Sequence, residues 1–215
     1  MVCKVFLDVE TLPPDKGDPI IRDRLTPDDE EEFRKLALDP AYGRLLCIGL
    51  IVEQDSKIKH CGVLGRNRDT NRFHLDEART LRSFWKLLNG FDERRDLLIG
   101  FNLLDFDLHF ICTRSVVKRV RPSFNVCFAR FRSHPVFDVM WEFCHWKHRI
   151  KLDDVAKILG LGSSKQNGIE GSSVYDLFLA GRHQEVADYC LRDVTLTRLI
   201  YHRMNFFDEA EQGLT

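Results

Sequence analysis

Apolar residues along this chain follow two rhythms. Residues 3–8 are apolar on both faces and rich in β formers, the pattern of a strand buried inside a sheet. Residues 45–53 and 58–64 read as two further strands, joined as a hairpin through Gln54-Asp55-Ser56. From 76 to 88 the spacing becomes helical, with Leu81, Phe84, Trp85 and Leu88 on one stripe. A short strand over 96–100 leads into a helix over about 104–118. Another strand is expected at 136–139, followed by helices at 152–159, 174–179 and 183–204. Strands first, then strand and helix in alternation, then helices, predict an α/β sheet layered with helices.

Residues 13–39 interrupt this order. They are dense in acids and are expected to form a surface insertion. Within them Thr26-Pro27-Asp28-Asp29 supplies an N-cap, a proline at the first helical position and first-turn acids, so a short helix should run on to about Leu38. Residues 205–215 read as a tail. With no repeat, low-complexity tract or Ser/Gly linker, one domain over 1–215 is the simplest organisation.

Composition narrows the setting. Among 215 residues, 44% are hydrophobic and 30% charged, the balance of a globular protein with a full core. The formal net charge of -1 supplies no global pull toward a polyanion, so any such attraction must be local. The 7 cysteines are odd in number and scattered, without a Cys-x-x-Cys pair, which is the usage of reduced thiols rather than a disulfide framework. The first residues hold too short an apolar run for a signal peptide, and no stretch reaches membrane-spanning length. No membrane is expected as a partner, and the cytoplasm is the expected compartment.

Three acidic stretches carry the chemistry. Asp8 and Glu10, two apart on the first strand, emerge on one face, and Thr11-Leu12-Pro13-Pro14 must end that strand. Adjacent anions at a strand end either face solvent or share a hard divalent cation. Gly100-Phe101-Asn102-Leu103-Leu104-Asp105-Phe106-Asp107 places two more acids where a strand turns into a helix. There the helix dipole alone would favour them. At helical spacing Asp105 and Asp107 point about 200° apart, so they cannot both face one site. On the last helix Tyr189 and Asp193 share a face beside the apolar stripe Val186, Cys190 and Val194. Asp193 held against a core needs a partner, either a metal or an arginine.

In order, Asp-x-Glu, Gly-x-Asn-x-x-x-Phe-Asp and Tyr-x-x-x-Asp resemble the three exonuclease motifs of the DEDD superfamily, in its DEDDy branch. The nearest resemblance is to stand-alone 3′–5′ exonucleases related to the exonuclease domain of family B DNA polymerases. Leu38-Asp39-Pro40, Gly43-Arg44-Leu45, Leu152-Asp153-x-Val155-Ala156 and Gly171-Ser172-x-Val174-Tyr175-Asp176-Leu177 extend the likeness over about 4–201.

The resemblance implies a ribonuclease H-like mixed sheet flanked by helices. It implies Asp8, Glu10, Asp107 and Asp193 as ligands of two Mg²⁺ or Mn²⁺ ions, with Tyr189 orienting water. Family spacing selects Asp107 over Asp105. Thr11 and Leu12 would meet the terminal nucleotide, although Leu12 reads equally well as a core residue. Asn102 would bond a phosphate oxygen, with Phe106 and Lys165 also near substrate. The expected partner is single-stranded nucleic acid, DNA ahead of RNA, in repair or maturation, with protein partners unknown. An exoribonuclease and a non-catalytic binding module on the same fold are the rivals, but a module of that kind would have lost a ligand carboxylate.

Local positive charge comes from Arg114, Lys118, Arg119, Arg121, Arg130 and Arg132, interleaved with Phe124, Phe128 and Phe131 in an acid-free run from Ile111 to Phe137. It could bind a strand or be a solvated edge over a small core. Lys165, Gln166 and Asn167 lie in a polar loop. Cys144, His145 and His148 lack a second ligand pair, so a core or surface role is expected rather than zinc.

Overall fold

The computed structural model describes residues 2–22, 30–67, 69–163 and 170–207. Its frame is a five-stranded sheet in the order β3-β2-β1-β4-β5. The strands are β1 (Cys3–Leu12), β2 (Arg44–Gln54), β3 (Lys57–Leu64), β4 (Leu97–Gly100) and β5 (Val136–Asp138). The helices are α1 (Pro19–Arg22), α2 (Glu30–Lys35), α3 (Glu77–Leu87), α4 (Asp107–Val117), α5 (Val139–Phe143), α6 (Leu152–Ile158), α7 (Val174–Leu179) and α8 (His183–Met204). β1 is central, antiparallel to β2 and parallel to β4, and β4 is parallel to β5. This is the expected α/β architecture, a ribonuclease H-like mixed sheet flanked by helices.

Because β1 is covered on both faces, its two parities enter different cores. Val5, Leu7 and Val9 pack with Leu81, Phe84 and Trp85 of α3 and with Leu108 and Ile111 of α4. Phe6 packs the other way, with Val194 and Ile200 of α8 and Val155 and Ala156 of α6. Asp8 and Glu10 share the parity of Phe6, so they face α8.

The β2–β3 hairpin closes as read, through Asp55 and Ser56, both at positive φ (50° and 58°), which suits the right-handed strand twist. Asp76 caps α3 by accepting from the Arg79 N–H at 2.9 Å. Two elements escaped the sequence pattern. α1 and α5 span too few residues to show a helical period, and the last residue of the expected strand at 136–139, Val139, instead opens α5. Asp138 causes that switch, because its carboxylate accepts from the Met140 and Trp141 N–H groups. α4 also begins later than expected, at Asp107, because a turn stitched to Asp138 occupies the preceding residues.

The described part of the acid-rich stretch contributes to the interior. Ile21, Phe33 and Leu36 form a small buried cluster against Tyr42 and Tyr175. The expected capping segment 26–29 lies outside the described residues. No described helix is long and apolar enough to cross a membrane.

Two buried ion clusters brace the frame. Arg114 forks onto Glu77 with two 2.8 Å bonds, which also ties α4 to β2 through the Leu45 N–H at 2.9 Å. Glu53, 1% exposed, holds Arg198 at 2.7 Å, His202 at 3.0 Å and Lys4 at 3.3 Å. Arg114 and Lys118 of the basic run are therefore committed to Glu77, and Phe124 packs with Trp85 and Phe91, so these three are structural.

Candidate active site

At the C-terminal end of β1, where open α/β sheets place their ligands, four acids from three elements meet. Asp8 and Glu10 come from β1, Asp107 from the first turn of α4 and Asp193 from α8. Asp107 is 2% exposed, and its Oδ1 accepts the Val9 N–H at 2.9 Å, fixing the start of α4 against β1. Asp193 reaches the strand because α8 lies unusually close to the sheet. Gly49, paired with Asp8 across the ladder, makes this possible, since a Cβ there would meet Cys190 Sγ at 2.6 Å.

The cost of gathering these anions is visible in their protonation. Burial first, then the charges of Asp107, Glu10 and Asp193, push the Asp8 carboxyl well above the usual carboxylate range. Glu10 is raised by burial, then by Cys47, Asp193 and Asp107. Asp107 is raised by burial despite the Val9 hydrogen bond, with Asp138 and Asp193 adding repulsion. The wall cations do not relieve this, because Arg34 pairs with Glu30 and Asp176, and Lys35 with Glu31 and Glu32. Tyr189 hydrogen-bonds Asp193, and burial followed by the same acids raises its hydroxyl far above the phenol range. It is a neutral hydrogen-bonding group there.

A divalent cation fits this arrangement. One ligand atom from each of Asp8, Glu10 and Cys190 lies within 4.8 Å of the others, and the oxygen-dominated donor set suits a hard ion. Cys190 adds a thiol 3.6 Å from Asp8 Oδ2, hydrogen-bonded also to Cys47; spacing alone gave no signal of either cysteine. Among the described residues Cys144, His145 and His148 form no such group.

Thr11, Phe106, Tyr189 and Asp193 line the same cavity as Asp8 and Glu10. Its far wall comes from Leu38, Gly171, Ser172 and Tyr175, which lie in two of the stretches that carried the resemblance. Leu12 follows the second of its two readings. It is 0% exposed, packed among Leu46, Val174 and Leu177, and is a core residue with no face for a base. Asn102 lies outside the cavity lining. It turns the chain at φ 59°, its N–H donates to Asp138, and its own Oδ1 is buried without a partner among the described residues. Asp105 turns away to Arg149, Arg130 and the Trp141 indole. Lys165, Gln166 and Asn167 lie outside the described residues. The sequence reading missed Asp138, whose two oxygens accept four backbone N–H groups and hold the turn ahead of Asp107.

Residues 37–212 match the family described as a predicted 3′–5′ exonuclease related to the exonuclease domain of PolB. β1, with Asp8 and Glu10, precedes the matched stretch, so their place in the site rests on geometry. No curated protein matches the chain. Among solved structures, it is similar to the apo Pan2 pseudoubiquitin hydrolase–RNA exonuclease module of Saccharomyces cerevisiae in complex with AAGGA RNA. That likeness has 15% identity and a TM-score of 0.44, and it covers 95% of this chain but 30% of that one.

Proposed function

Because the chain belongs to the predicted 3′–5′ exonucleases related to the exonuclease domain of PolB, we propose that it hydrolyses single-stranded nucleic acid from the 3′ end, releasing nucleoside 5′-monophosphates. The observation that carries this reading is the convergence of Asp8, Glu10, Asp107 and Asp193 in one buried, mutually repelling cluster. Asp8, Glu10, Asp107 and Asp193 would together hold two Mg²⁺ or Mn²⁺ ions. Bound there, the ions would supply an acidified water for attack and counter-charge for the leaving oxygen.

The chain's own residues orient the reaction. Tyr189 keeps its proton and donates it to Asp193, so its hydroxyl oxygen would accept from the attacking water and hold that water in line. Thr11 and Phe106 form the wall against which the last nucleotide rests. The proposed substrate is single-stranded nucleic acid, DNA ahead of RNA, and the 7 free cysteines support a reducing compartment, the cytoplasm.

The test is digestion of 5′-labelled single-stranded DNA and RNA with Mg²⁺, Mn²⁺ or chelator. Asp8→Ala and Asp193→Ala should each abolish metal-dependent shortening while the circular dichroism spectrum is retained. Activity equal to wild type in either variant overturns the assignment.

A further inference from the structure

Beside the site, on the far side of the turn that delivers Asp107, aromatic and cationic side chains gather into one exposed cluster. The rings of Trp141 and Trp146 stack at 5.6 Å with 3° between their planes, and Phe131 lies 5.0 Å from Trp146. The guanidinium groups of Arg130 and Arg149 sit 5.8 and 5.7 Å from the Trp141 ring, and both pair with Asp105. Trp141 is the buried base of the stack, whereas Phe131 is 77% exposed. With the partly exposed Trp146 beside it and charge around it, this ring forms a contiguous apolar patch with a polar rim, the kind of surface that marks an interaction site.

Three independent features point to the occupant. The segment 128–151 carries five Arg and Lys residues but only the acids Asp138 and Glu142, and Asp138 is fully buried, so the outer face is cationic in a chain of net charge -1. Both arginines keep most of their side chains exposed (55% and 64%), and Asp105 holds them as a phosphate would. Phe131, His145 and Trp146 adopt left-handed backbone (φ 60°, 49° and 61°), an unfavourable conformation for bulky residues, in the loops that display the rings. Exposed rings next to exposed guanidinium groups match a strand of bases on phosphates. Asp105, which holds both arginines, directly precedes Phe106, which lines the site cavity, so one step of chain separates the cluster from that cavity.

Resting on the nuclease reading, we propose that Phe131 and Trp146 form a stacking platform for a nucleotide upstream of the one being removed, and that Arg130 and Arg149 hold the adjoining phosphates. A strand long enough to reach the platform binds more tightly than one that occupies the cavity alone.

The experiment titrates the chain of residues 1–215, in chelator so that nothing is cut, with dodecamers of deoxythymidylate and uridylate, following anisotropy and tryptophan fluorescence. Trp85, the remaining tryptophan, is buried and bonded to Ser115, so quenching reports the platform. Wild type should bind with quenching. Phe131→Ala should weaken binding by about five- to tenfold with an unchanged melting temperature. Arg130→Ala and Arg149→Ala should each lower the slope of log affinity against log salt by roughly 0.7 to 1. Wild-type affinity and slope in all three variants overturn the platform. So does concentration-dependent self-association that Phe131→Ala abolishes while strand binding persists, since the patch would then belong to a second copy. Failure of wild type to bind either strand also overturns it. The nuclease reading survives that failure if wild type with Mn²⁺ still hydrolyses thymidine 5′-(p-nitrophenyl phosphate), and falls if it does not.

Discussion

Asp105 and Asp107 stand two residues apart and spend their charges on opposite partners. Asp107 is buried among the acids of the site, whereas Asp105 neutralises two arginines at the aromatic cluster. Asp107→Ala should therefore reduce metal-dependent cleavage by more than about a hundredfold, and Asp105→Ala by far less, read as initial rates on one labelled strand. The reverse order would mean that the helix start has been misassigned. Tyr189→Phe keeps the ring that packs beside Cys190 and removes only the hydroxyl. Turnover should fall by about a hundredfold while Mn²⁺ affinity by calorimetry stays put, and a loss of metal binding would contradict the orienting role. The choice of Asp107 was legible because motif spacing counts residues, and spacing survives any uncertainty about where a helix begins. Leu12 and Asn102 were not legible in the same way. A β former at a strand end and an asparagine in a turn read alike whether they touch a ligand or their own fold. The full burial of Leu12 and the left-handed φ of Asn102 are set by distant contacts.

Elements with many periods declared themselves, and short ones did not. The long α8 matched its expected span, while α1 and α5 are too brief for periodicity, and α5 depends on its local cap, Asp138. How closely two elements approach is also hidden from the sequence, because a glycine in a strand pattern does not say what comes near it. At Gly49 the answer is α8, with Cys190 Sγ and Val194 Cγ2 against the vacant Cβ position at 2.6 and 3.2 Å. Gly49→Ala should lift α8 from the sheet, costing about 1–3 kcal/mol in chemical denaturation, and should weaken Mn²⁺ binding by displacing Asp193. Unchanged stability would mean that the helix yields without strain.

Across the whole molecule, charge is managed by pairing at one end of β1 and by crowding at the other. The basic run illustrates the limit of reading charge along a line. Arg114 and Lys118 turn inward to Glu77, whereas Arg130 and Phe131 stay outside, and only the tertiary fold separates the two uses. Burial would raise the Glu53 carboxyl, but His202 and Arg198 override it and hold it down to about 2. A carboxylate with a depressed folded pKa stabilises the fold above its unfolded value, near 4.5, and loses that contribution as pH falls toward about 2. The wild-type melting temperature should thus fall more steeply between pH 4.5 and 2 than that of Glu53→Gln, and parallel curves would remove Glu53 from the acid response.

The strand that bears Asp8 is made long before the helix that crosses it, with 98 residues separating Val9 from Asp107 and 182 separating Asp8 from Cys190. A polypeptide still emerging from the ribosome therefore carries these groups as scattered acids. They crowd together only when the last helix packs against the sheet, so the repulsion among them is met at the final step of folding rather than during synthesis.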